Sequence, residues 1–158
     1  MRSNSALSMR GDIEIRVRDT STGDVVREYA VKNKIVDTGV AAVAKLLAQT
    51  SGTASSYKLA QLKVGTGTTL ASAGQTDLVS PVLANGTVTL TTSDVVATDN
   101  KVVVKGTVPS AIASAITLRE VGLFMSNGQL FARQIHSGIT TGSGLSVEYT
   151  WTLTFTAA

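Results

Sequence analysis

His136 is the one side chain in this sequence whose ordinary titration suits proton transfer near neutral pH. It ends a strand-like run, Gln129 to His136. A catalytic triad would need a Ser and a carboxylate brought to it from elsewhere, and no Gly-x-Ser-x-Gly elbow is present. The carboxylates Asp94, Asp99, Glu120 and Glu148 occur singly. A glycosidase needs two carboxyls about 5–10 Å apart, and sequence alone leaves open whether two strands bring such a pair together. Glu148 falls on the polar face of its strand and Glu120 follows Arg119, so solvated or cross-strand ion pairs are expected. With Cys 0 and His 1, thiolate catalysis, Cys-based zinc sites and two-imidazole metal sites are excluded. No Asp-rich calcium loop occurs either. The expectation is a non-enzyme with no catalytic residue, cofactor or metal.

The remaining motifs have plain structural readings. Gly65-Thr-Gly-Thr-Thr69 lacks the third glycine of a dinucleotide fingerprint and the Gly-Lys-Ser/Thr ending of a P-loop. Its glycines instead allow tight turns or a close backbone approach. Arg10-Gly-Asp12 matches an adhesion tripeptide, but Asp12 is expected simply to open the first strand. Asn85-Gly-Thr87 would accept a glycan only in a secretory pathway. Tyr149, Trp151 and Phe155 are in phase with aliphatic residues, and Phe124 and Phe131 flank a turn where they can pack inward, so no aromatic platform for sugars is evident.

The elements that must position these groups are mostly strands. The chain has 158 residues, enough for one domain with a real core. Thr and Ser outnumber all charged residues, which make up 16%, and this favours strands and turns over disorder. Residues 1–11 are polar and aperiodic and read as an arm, followed by a single β-rich domain over 12–158. Ile13, Ile15 and Val17 alternate with Glu14, Arg16 and Arg18 in the pattern of a half-buried strand. Asp19 to Asp24 is a turn cluster, and Val25 to Val31 resumes strand character, giving a hairpin. One helix is expected over 38–49, capped by Asp37 or Thr38, with Val40, Val43, Leu46 and Leu47 forming an apolar stripe against a sheet. Strands follow at 57–64 and, in short runs, at 78–83, 87–92, 101–108 and 115–125, with hairpin turns at Asn85-Gly86 and Asn127-Gly128. From Leu145 to Thr156, large apolar residues alternate with Ser, Glu and Thr without a break, which fixes the register of a long last strand. The fold class is mainly β, a β-sandwich or jelly-roll-like domain with one helix.

The net charge of +3 is spread along the chain: residues 1–34 hold seven basic and five acidic side chains, residues 35–158 seven and six. Without a basic stripe, no specific nucleic-acid binding is expected. No signal core and no run of about 18 apolar residues appears, so a protein made and kept soluble in the cytosol is expected.

Lys32-Asn-Lys-Ile-Val-Asp-Thr-Gly-Val40, Leu62-Lys-Val-Gly-Thr-Gly-Thr-Thr69 and Ala73-Gly-Gln-Thr-Asp-Leu78 resemble segments of small structural proteins of tailed bacteriophages. So do Leu118-Arg-Glu-Val-Gly-Leu-Phe124, Asn127-Gly-Gln-Leu-Phe-Ala-Arg133 and the Thr-alternating last strand, and the similarity spans roughly residues 32–156. The resemblance implies an all-β virion component without shared catalytic residues. Capsid cement or decoration is the leading expectation: a homotrimer at capsomer junctions whose partners are the major capsid protein and copies of itself. No small-molecule substrate is expected. A tail, baseplate or fibre module for attachment or host glycan binding is the alternative, and a glycan hydrolase a further one. Because arms and loops carry contacts while sheets carry rigidity, Arg2, Met9, Arg10, Gly65, Thr66, Gly67 and Thr68 are the interface candidates.

Overall fold

The computed structural model of the chain describes residues 7–47, 54–110 and 116–157. Two five-stranded antiparallel sheets face each other. The first has the order β2 (Val25–Lys32), β1 (Leu7–Asp19), β10 (Leu145–Ala157), β7 (Lys101–Val108), β6 (Val95–Thr98). The second has the order β3 (Lys34–Ile35), β9 (Leu130–Thr140), β8 (Thr117–Met125), β4 (Leu59–Gly65), β5 (Thr87–Thr89). This is the mainly β, sandwich-like architecture that the alternation implies.

The core lies between the sheets. Ile13, Ile15 and Val17 of β1 and Val147, Tyr149, Trp151 and Leu153 of β10 meet Leu62, Val64, Leu118, Val121 and Leu123 of the second sheet in one buried cluster. In β10 the apolar residues of the alternation turn inward while Thr150, Thr152 and Thr154 stay partly exposed. β10 is paired along its length with β1 and over Val147–Thr154 with β7, so a slip of one residue would disrupt both ladders and the core together.

Several boundaries differ from the sequence expectation, each for a local reason. β1 begins at Leu7, and residues 7–11 pair with Leu153–Ala157, so this part of the expected arm is strand; Met1–Ala6 lie outside the described residues. The polar composition of this stretch hid a strand stabilised by its partner's backbone. The helix α1 runs Asp37–Leu47, and the rest of its expected span lies outside the described residues. Its stripe does not face a sheet throughout: Ala42 is buried and Val43 half-buried, but Val40 is 54% and Leu46 41% exposed. Thr38 does not act as a cap; its hydroxyl donates to the Leu130 carbonyl and ties α1 to β9.

The run 78–83 forms no strand beyond an isolated bridge between Gly65 and Pro81. Pro81 has no N–H to give a ladder, and the backbone N–H groups of Leu78, Val79 and Ser80 donate to carboxylates. Asn85-Gly86 therefore does not link two adjacent hairpin strands but leads a long loop into β5, with Asn85 at φ 58°. Asn127-Gly128 does close the β8–β9 hairpin, with Gly128 at φ 83°. β6 is unanticipated; it pairs with β7 across a turn at Asp99-Asn100, where Asp99 takes φ 51°.

Candidate functional site

β8 is buried on both faces, which explains its nearly continuous apolar sequence. One face joins the core. Against the other, the loop of residues 65–86 lays Leu78 into a second cluster with Val36, Phe124 and Leu130. In that second layer stand Glu120 of β8 and Arg133 of β9, both fully buried. Arg133 opposes Gly122 and Glu120 opposes Ile135, so the two charged side chains meet diagonally across the hairpin. The guanidinium Nε donates to Glu120 Oε2 at 2.8 Å and Nη2 lies 2.6 Å from the same oxygen.

The pair binds the loop from both sides. Glu120 Oε1 accepts the backbone N–H groups of Gly67 (3.1 Å) and Ser80 (2.7 Å), and Oε2 accepts that of Val79 (3.0 Å). Arg133 Nη1 donates to the Thr69 carbonyl at 2.9 Å and to Gln75 Oε1 at 3.0 Å. The loop also reaches α1, since Asp37 N donates to the Ala73 carbonyl. Such charge-assisted bonds are the strong ones, and removal from water costs least when each lone pair and proton finds a partner.

The Gly-Thr-Gly segment follows from this arrangement. A Cβ on Gly65 or on Gly67 would lie 2.5 Å from Glu120 Oε1. The glycines let the backbone approach a carboxylate, so of the two uses open to them in sequence the close approach is the one realised. Gly67→Ala is expected to cost roughly 1–3 kcal/mol, since the carboxylate is fixed and cannot move aside. Urea unfolding checks this, and an unchanged midpoint would contradict the close approach.

Burial on its own pushes the Glu120 carboxyl up, but the N–H groups of Ser80 and Val79 and the Arg133 guanidinium outweigh it and hold the carboxyl below its ordinary 4.5. His136 is lowered from 6.5, chiefly by burial, with Arg119 acting in the same direction and the Ser137 carbonyl against it. The Glu120 contribution to stability is therefore complete above about pH 4.5 and is lost as pH falls through the folded value. The unfolded chain protonates His136 before the fold does, so stability also declines as pH drops below about 6.5. The expected urea midpoint is level above about pH 7 and falls in two stages below it, and His136→Gln removes only the first stage. A first stage that persists in that variant would assign it to another group.

His136 is 8% exposed, its Nδ1 paired with the Ser137 carbonyl (2.8 Å) and its Nε2 with the Tyr149 hydroxyl (3.2 Å). Burial raises the Tyr149 phenol, which keeps it protonated and able to donate to that nitrogen. The imidazole is thus a satisfied group of the interior. Of its two expected settings Glu120 takes the cross-strand ion pair, with Arg133 of β9, and it is not solvated. Glu148 is partly exposed, with Arg18 at 3.6 Å. Phe124 and Phe131 pack inward. Among the described residues, no group of three His, Cys, Asp or Glu side chains could hold a metal ion, and no helix is long and apolar enough to cross a membrane.

The interface candidates divide between two places. Met9, half-buried, and Arg10, exposed and bonded to Asp12, line a groove beside α1. The adhesion-like tripeptide lies within β1, with Gly11 buried against the Asn33 side chain. Gly65 and Gly67 are buried, Thr66 is half-buried with its hydroxyl on Ser80, and Thr68 is the exposed one of these four candidates. Arg2 lies outside the described residues. The most exposed apolar side chains of the loop, Leu83 at 89% and Leu70 at 75%, were not among the candidates, nor was Val79 at 49%. The signal for them is an apolar residue recurring in a polar, Pro- and Gly-punctuated stretch with one charge, Asp77.

The chain matches no protein-family model, no curated protein and no solved structure in the comparisons made.

Proposed function

We propose that this chain is a virion structural protein of a tailed bacteriophage, a capsid cement that sits where capsomers meet and holds them by burial and hydrogen bonding. One observation carries the reading. Glu120 and Arg133, which stand in two of the segments that resemble phage structural proteins, form the buried pair that holds the 65–86 loop in place, with Leu70, Val79 and Leu83 turned outward. A preformed contact surface loses little conformational freedom on binding. When it is repeated over a symmetric shell, modest contacts combine through multivalency.

The test is to add purified protein back to tailed-phage particles that lack it. Restored resistance of the particles to heating is expected. Particles that neither bind the protein nor gain heat resistance would overturn the proposal, as would binding confined to the tail.

A further inference from the structure

We infer that copies of this chain join head to tail, the 65–86 loop of one copy seating its apolar side chains in the groove beside α1 of the next. The inference rests on the cement reading only in assuming that copies meet at high local concentration.

The groove has a volume of about 580 Å³ and lies between the start of β1, the β2–β3 connection and α1. Met9, Ile35, Val40 and Val43 supply apolar wall, and Lys32 and Lys34 stand at its rim. Its charged lining, completed by Arg10, is entirely basic. Val40, expected from its spacing to cover a sheet, is instead 54% exposed here. Exposed apolar surface rimmed by charge marks an interaction site.

The loop has the opposite character. Leu83 and Leu70 are the two most exposed large apolar side chains among the described residues, and the only charge between Gly65 and Gly86 is the exposed Asp77. A loop with two exposed leucines and one exposed carboxylate thus matches a groove whose lining combines apolar and basic side chains, in both polarity and sign. In its own chain the loop touches α1 at the Ala73–Asp37 bond, yet Leu70 and Leu83 remain in solvent, so the loop does not fill the groove of its own copy. Groove and loop are different surfaces, so their union is heterologous, the type of contact that generates rings where the rotation closes and open chains where it does not.

The experiment is sedimentation of the full chain over a concentration series. The wild type is expected to form multimers. Val40→Glu, which blocks the groove, and Leu70→Ser/Leu83→Ser, which blunts the loop, should each raise the dissociation constant by roughly tenfold or more. All three side chains are exposed, and unchanged circular dichroism will confirm that the variants fold. Mixed in equal amounts, the groove variant still has a loop and the loop variant still has a groove, so a 1:1 heterodimer should appear. A wild type that stays monomeric into the high micromolar range would overturn the inference. So would multimers unaffected by either change, or a mixture that stays monomeric. A monomer that still binds particles would remove this contact and leave the cement reading standing, whereas a multimer that binds no particle would do the reverse.

Discussion

Glu120→Ala is expected to lower the unfolding free energy by about 3–5 kcal/mol, because it leaves the buried Arg133 charge without its partner. The change also strips the backbone N–H groups of Gly67, Val79 and Ser80 of their acceptor. Arg133→Met should cost less, since Glu120 would keep those three donors while the loop loses only the bonds to Thr69 and Gln75. The order of the two variants is therefore diagnostic. Replacing both members does not recover the wild-type value, because the loop N–H groups stay unsatisfied. Urea unfolding gives the energies, and amide hydrogen exchange at Gly67, Val79 and Ser80 locates the effect. Slow exchange at these amides in Glu120→Ala would contradict the pinning role.

The second large effect is expected at Trp151, where truncation to Ala should cost about 3–5 kcal/mol. Trp151 is fully buried in β10 and is the largest side chain in the interior. Its neighbours across the strands are Ile13 of β1 and Val104 of β7, so no exposed segment can collapse into the space. Calorimetric or urea unfolding checks this. A cost below about 1 kcal/mol would mean that the two sheets can close over the gap. The two predictions separate the parts of the molecule: the first should release the loop before the body, the second should weaken the body as a unit.

The body was the more legible part in sequence. Alternation in β1 and β10 needs only the period of a strand with one buried face, and Asn127-Gly128 needs only the backbone freedom of its residues. What lay hidden depends on long-range contacts. The N–H groups of Val79 and Ser80 are taken by a carboxylate 41 and 40 residues away, and that of Leu78 by Asp77, so a β-like apolar run there forms loop. Glu120 read as either a solvated charge or half of a cross-strand ion pair, and nothing local shows that its partner is Arg133, diagonally across the hairpin. Its place inside the apolar run Leu118 to Met125 was the available clue. Residues 7–11 lacked a period of their own and took strand form from the end of β10. The spacing of α1 indicated a stripe but not that the sheet would cover only part of it.

The most direct measurement of the proposed cement role is a count of copies of this chain in tailed-phage particles purified from cells that express it, by quantitative mass spectrometry and imaging. A shell cement at capsomer junctions should be present in hundreds of copies distributed over the capsid. A handful of copies at the tail, or none, would contradict it.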